Sequence, residues 1–271
     1  MAALKRKLPQ DFSLPPVGVD THAHLDLKPL REDVPGALQR AKAAGLARVG
    51  NVFLGPQAYR DHAPLFADHP EVFFVLGIHP HEAASVNDAS LAEMESALQE
   101  DGRIKALGET GLDFFHDRCP RQTQKAGFQA QLRLARELDL PVVIHSRDAD
   151  EVTVRILLQE GFQDRPLIWH CFGREASFAE ELLSYGWMIS LPGIVTFSKA
   201  AAVQEAVPRI PLERMVLETD CPFLAPEPYR GKTNEPAYTA FTAARIAQLS
   251  QRDIEEVWRV TASNAAAFFG L

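Results

Sequence analysis

Eight short apolar runs, each followed by a longer polar or helically spaced segment, set the narrowest limit on what this chain can fold into. The runs are Gly18–Leu25, Ala47–Phe53, Val72–Pro80, Ile104–Asp113, Pro141–Arg147, Leu167–Phe172, Trp187–Val195 and Met215–Asp220. Stretches such as Val-Phe-Phe-Val-Leu, Pro-Val-Val-Ile and Met-Val-Leu keep no polar side for solvent, which suits parallel strands covered on both faces. Between them, Gln122–Leu140 returns Phe128, Leu132, Ala135 and Leu138 to one face at helical spacing. Asp148–Gly161 reads as a second helix, N-capped by Asp148 and stopped at Gly161, and Arg174–Gly186 also ends on a glycine. Strand then helix, eight times over, predicts an α/β fold of the (β/α)8 TIM-barrel type. A doubly wound open sheet is the alternative. It lacks support because no glycine-rich phosphate loop follows the first strand, and Gly45–Asn51 does not qualify.

A length of 271 residues fits one such barrel as well as two small domains. No low-complexity linker divides the chain, so one domain is expected over residues 17–271. Residues 1–16, ending at Pro15 and Pro16, are expected to form a poorly ordered lead-in. Their basic residues precede no apolar run, unlike a secretory signal. No stretch approaches the roughly 18 apolar residues of a membrane span. A cytoplasmic location is the default expectation, with no membrane association and no obligate protein partner. Cys119, Cys171 and Cys221 are too few and too far apart for a disulfide framework or a thiolate cage, and read as incidental thiols. The net charge of −8 argues against a module that coats nucleic acid through a basic stripe. It weighs less against an enzyme that meets phosphate through bound cations, which dominate the local field of a site.

Chemistry concentrates where the predicted strands end. The first ends in Asp20-Thr21-His22-Ala23-His24-Leu25-Asp26, the third in Gly77-Ile78-His79-Pro80-His81, and the fourth in Gly108-Glu109-Thr110-Gly111-Leu112-Asp113. The fifth ends in His145-Ser146-Arg147, the sixth in His170-Cys171-Phe172, and the eighth in Glu218-Thr219-Asp220. In a parallel barrel these ends meet at one mouth, where active sites are built. A lone His-x-His is a weak signal. Six of nine histidines gathered with carboxylates at convergent strand ends are a strong one, and satisfied polar strand ends do not account for them. Imidazole and carboxylate without thiolate suit zinc, manganese, nickel or cobalt, and magnesium remains among the candidates. Two ions held about 3.5–4 Å apart need a shared ligand, which a carboxylate supplies through its two oxygens.

Taken together, these motifs resemble the TatD family of metal-dependent hydrolases within the amidohydrolase-like barrels. The resemblance runs from VDTHAHLD through GIHPH, GETGLDF, PVVIHSRDA, HCF and LETDCPFLAP to RGKTNEPAY, covering the chain from about residue 17 in the family's order. It implies a site for two divalent ions. By position, His22 and His24 would hold the first ion, Glu109 would bridge both, and His145 and His170 would hold the second. Asp220 would ligate the first ion and act with Glu109 in catalysis by orienting or deprotonating the attacking water. His79 would face the substrate.

Other residues have two readings each. His81 is a phosphate contact or a helix cap, and Arg147 a phosphate contact or a surface ion pair with Asp148 or Asp150. Arg230 offers a bidentate fork to phosphate, while Asn234 and Glu235 fit caps of the next helix. Asp113 and Glu218 fit groups that orient ligands. Phe114, Phe115 and Phe172 suit core packing better than base stacking. The chain departs from the family pattern in its lead-in, in Thr110 and in the loop Gly173–Ser177, none of which is a ligand position. The function expected from the resemblance is a deoxyribonuclease removing nucleotides from the 3′ end of single-stranded DNA, with RNA as a second nucleic-acid substrate. The alternative is an ester or amide hydrolase such as a D-aminoacyl-tRNA deacylase. An inactive scaffold would lack a ligand position, and none is missing.

Overall fold

The computed structural model describes residues 6–271. Its strands are β1 (Gly18–Ala23), β2 (Leu46–Leu54), β3 (Val72–Gly77), β4 (Ile104–Asp113), β5 (Val142–Arg147), β6 (Leu167–Trp169), β7 (Met188–Leu191) and β8 (Met215–Leu217). Helices follow each strand in turn: α1 (Val34–Ala43), α2 (Pro56–His62), α3 (Asp88–Glu100), α4 (Arg121–Glu137), α5 (Asp150–Gln159), α6 (Ala176–Ser184), α7 (Ala201–Ala206), then α8 (Thr239–Ser250) and α9 (Ile254–Phe269). The strands pair in chain order, all parallel. At the seam between β8 and β1, Ala23 bridges Cys221, the Asp220 N–H donates to the His22 carbonyl at 2.8 Å, and the His24 N–H donates to the Cys221 carbonyl at 2.8 Å. The result is a nearly closed (β/α)8 barrel. No described helix is long and apolar enough to cross a membrane.

Alternation along the strands sorts side chains into two cores. Val19, Val52, Phe73, Val75, Ala106, Val143, Ile168, Met188 and Val216 fill the barrel interior, every strand contributing. Their odd-even partners, among them Val72, Phe74 and Leu76 of β3, pack outward under the helices. At the N-terminal end of the strands α9 closes the interior, its Phe269 ring lying 4.8 Å from that of Phe73. The open end is therefore the C-terminal one.

Several expected strands stop short. β1, β3, β6, β7 and β8 each end two to four residues before the limits read from sequence, at Ala23, Gly77, Trp169, Leu191 and Leu217. β6 and β8 leave the ladder where polar residues begin, with Cys171 and Asp220 both in left-handed conformation, whereas β7 gives way at Pro192 to a 3-10 turn over Gly193–Thr196. Asp148 does not cap α5. It too has positive φ (53°), and the helix begins at Asp150, whose carboxylate accepts from the Ser146 hydroxyl at 2.6 Å. Gly161 and Gly186 do follow α5 and α6 with positive φ. Neither Asn234 nor Glu235 caps a helix through its side chain: Glu235 accepts from Arg40 Nε at 2.6 Å. Of the lead-in, residues 1–5 lie outside the described residues. The remainder is docked, because its apolar side chains find partners on α8 and α9. Phe12 sits edge-on to Phe241 at 5.4 Å, and Trp258 Nε1 donates to the Pro15 carbonyl at 2.9 Å.

Candidate metal centre

Glu109 organises the open end. It lies in β4 where the register with β5 shifts between Leu107 and Thr110. Glycines make that irregularity feasible. A Cβ on Gly108 or Gly111 would fall under 3.0 Å from the Val143 or His145 carbonyl oxygen, and both have φ near 150°. Bare backbone at these two positions lets β4 crowd β5 and brings the Glu109 carboxylate among the imidazoles.

The two oxygens of that carboxylate divide the surrounding histidines. Oε2 lies 3.3 Å from His22 Nε2 and 3.9 Å from His24 Nε2. Oε1 lies 2.5 Å from His145 Nδ1, 3.6 Å from His170 Nε2 and 3.8 Å from His79 Nε2. Asp220, three residues past β8, places Oδ1 3.5 Å from His24 Nε2 and 4.0 Å from His22 Nε2. Thus the structure brings His22, His24, Glu109, His145, His170 and Asp220 together, with His79 beside them.

Outer partners decide which ring nitrogens face inward. The Val52 carbonyl can only accept, so His24 Nδ1 carries the proton of their 3.0 Å bond and Nε2 is left bare. Glu218 does the same for His170, accepting from Nδ1 at 2.8 Å while its other oxygen takes the Cys171 N–H at 2.7 Å. His145 Nε2 faces Asp113 Oδ2 at 3.4 Å, leaving Nδ1 for the centre. Bare imidazole nitrogens aimed at a buried carboxylate repel it unless a cation lies between them. This donor set therefore fits divalent metal. His22 Nδ1 is buried and has no hydrogen-bond partner among the described residues.

Without metal, protons take the cation's place. Burial opposes the imidazolium of His145, but Glu109 and Asp113 outweigh it and lift the ring to about 9. For His170, burial is likewise outweighed by Glu218 and Glu109, which lift it to about 10. Burial alone would raise Glu109, yet His170 and His145 hold it well below the usual carboxylate range. Burial pushes His79 down to about 3, so it stays neutral. Its Nδ1 accepts the His81 N–H at 3.2 Å, which puts the proton on Nε2, facing the centre.

The remaining expected site residues sit apart from Glu109. His81 Nε2 pairs with Asp113 Oδ2 at 2.8 Å. Arg147 is exposed and lies 4.8 Å over the ring of Phe115, not against Asp148 or Asp150. Arg230 is exposed over Phe197 at 4.2 Å. Phe172 is buried against Phe178 and Phe114 is partly buried, whereas Phe115 is 57% exposed. Phe223, which the sequence did not single out, is 53% exposed with its ring 6.4 Å from that of His24.

Sequence reasoning also missed the groups that fix the strand ends. Asn51 of β2 accepts from the Leu25 N–H at 2.8 Å and donates to Asp26 at 3.2 Å. On α4, Gln131 brackets both backbone groups of Ile78 at 2.7 and 3.0 Å, and Gln124 brackets those of Asp113 at 2.8 and 2.9 Å. Asn234, expected as a helix cap, instead donates to the Thr219 and Phe223 carbonyls at 2.8 and 2.6 Å, tying down the segment that carries Asp220. A polar residue inside an apolar run, as in Val49–Phe53, and glutamines two helical turns apart on a buried face were the available signals.

Comparison with known proteins identifies the family. The sequence model of the TatD-related DNases matches residues 19–270. The metal-dependent hydrolase YabD of Bacillus subtilis is 37% identical over 250 residues, 92% of this chain and 98% of its own. The metal-dependent hydrolase YcfH of Escherichia coli K12 is 36% identical, with 93% and 95% covered. The crystal structure of the TatD homologue YjjV from Escherichia coli K12 superposes with a TM-score of 0.89 at 27% identity, with 94% and 99% covered. The chain belongs to the family of TatD-related DNases and is a metal-dependent hydrolase.

Proposed function

We propose that the chain is a 3′–5′ exonuclease acting on single-stranded DNA through two divalent ions. The observation that carries this reading is the division of Glu109, one oxygen facing His22 and His24, the other facing His145 and His170. In it, His22, His24 and Asp220 would hold one ion, His145 and His170 would hold the other, and Glu109 would serve both. Bound there, two such ions supply Lewis-acid charge that acidifies water and stabilises a phosphoryl transition state.

The protein's own groups do the rest. Asp220, the most accessible of the central carboxylates, accepts the proton of the attacking water. That water attacks phosphorus, the bond from phosphorus to the 3′ oxygen breaks, and Asp220 returns the proton to the leaving oxygen. His79, neutral with Nε2–H inward, donates to a non-bridging phosphate oxygen. Arg147 and Arg230 offer guanidinium groups to neighbouring phosphates, and Phe115 and Phe223 offer exposed rings to unpaired bases. The family's name supports a nucleic-acid substrate.

The test compares substrates. Metal-loaded protein is given a 5′-labelled single strand and, separately, a D-aminoacyl-tRNA. A ladder shortening from the 3′ end, with negligible deacylation, is the expected result. Rapid deacylation with an intact strand would transfer the function to ester hydrolysis at the same centre.

A further inference from the structure

We propose that His81, Asp113 and His116 form a third cation site, for a divalent transition metal such as zinc or cobalt, across the His145 ring from Glu109. Asp113, at the end of β4, is fully buried, and among the described residues no lysine or arginine pairs with it. Its Oδ1 is taken by the N–H groups of Phe115 and His116 at 3.0 and 2.9 Å. Its Oδ2 faces three imidazole nitrogens: His81 Nε2 at 2.8 Å, His116 Nδ1 at 2.8 Å and His145 Nε2 at 3.4 Å.

A carboxylate oxygen has two lone pairs, so three ring N–H groups cannot all be seated on it. A cation removes the conflict. One lone pair of Oδ2 goes to the ion, which His81 and His116 complete with bare ring nitrogens. The other accepts the His145 Nε2–H that keeps His145 Nδ1 aimed at Glu109.

The three ligand atoms lie within 4.8 Å of one another. Metal–ligand bonds of about 2.0–2.1 Å in a tetrahedron separate ligand atoms by roughly 3.3 Å, so the two 2.8 Å approaches open by about half an ångström. Rotation of His116, whose side chain is 46% exposed, supplies part of that. Two nitrogens and one carboxylate oxygen without sulfur favour zinc or cobalt over calcium. The exposure of His116 leaves a coordination position open toward solvent. The site's existence does not depend on the nuclease reading; only its use does. If the substrate is a DNA strand, the open position holds a phosphate oxygen next to the scissile one.

The experiment counts ions. Metal-free full-length protein, wild type and His116→Ala, is titrated with zinc, and bound ions are counted by native mass spectrometry. Melting temperatures confirm that both are folded. The expected result is one ion fewer in His116→Ala, repeated in His116→Gln, which keeps bulk but offers no ring nitrogen. With cobalt, the wild type shows an additional visible absorption component that both variants lose. Equal ion counts in wild type and both variants would overturn the site. A protein that holds this ion and cuts no DNA would instead overturn the nuclease reading and leave the site standing.

Discussion

Glu218 grips His170 from behind: its Oε2 accepts the Nδ1 proton at 2.8 Å while Oε1 is held by the Cys171 N–H at 2.7 Å. The Ser190 hydroxyl also donates to Oε2, at 2.5 Å, so the carboxylate cannot swing away. This arrangement fixes which His170 nitrogen faces Glu109. Glu218→Gln keeps the volume but presents an amide N–H to one of these partners. Metal affinity should fall by about 10–100-fold, read by competition with a chromogenic chelator. Unchanged affinity would show that the ring is oriented by something else.

The two glutamines of α4 act on the strand ends. Gln131→Ala leaves the Ile78 N–H and carbonyl unpaired in a buried position, with a loss of about 1–3 kcal/mol. Urea unfolding should report that loss. A variant as stable as wild type would mean that water enters and satisfies both groups.

Protons and metal compete for the centre. In metal-free protein, His145 and His170 sit at about 9 and 10, above the ordinary imidazole value of 6.5. Their protonation favours the folded state fully below about pH 6.5, and that stability is lost as pH rises through 9 and 10. Metal-free protein should therefore melt progressively lower between pH 7 and 10, while added zinc raises the melting temperature more at pH 8 than at pH 6. A metal-free melting temperature that climbs over that range would contradict the assignment.

The Phe115 ring lies 4.8 Å from the Arg147 guanidinium, and under the proposed function the pair would receive an unpaired base and its phosphate together. Phe115→Ala should raise KM for a single strand by roughly 5–150-fold, in line with about 1–3 kcal/mol per stacked base. Hydrolysis of a small chromogenic phosphodiester, which has no flanking base, should change little. Equal losses on both substrates would place Phe115 in the support of Asp113 instead.

What the sequence showed and what it hid have a common cause. Alternating apolar runs define the barrel because a parallel strand buried on both faces admits little else, and every expected strand is present. The histidines around Glu109 were visible because polar residues at strand ends are conspicuous against those runs. The strand limits were overdrawn at Ala23 and Leu217, where side-chain and seam hydrogen bonds replace the ladder, and at Leu191, where a 3-10 turn follows. Asn51, Gln124 and Gln131 were hidden because their partners are backbone groups on other elements, a relation without periodicity, and Asn234 was read as a helix cap for the same reason. His116 escaped notice because it follows the strand end and meets Asp113 only through the turn.

In the proposed function, divalent ions bound at Glu109 make this chain cut single-stranded DNA from its 3′ end. The direct measurement is nucleotide release from a 5′-labelled strand while metal-free protein is titrated with manganese or zinc, beside Glu109→Ala. No release is expected without metal, with stepwise 3′ shortening as metal is added, and about a hundred- to a thousandfold less release with the folded variant, on the order of losing a central electrostatic group. Cleavage that persists without metal, or in Glu109→Ala, would contradict it.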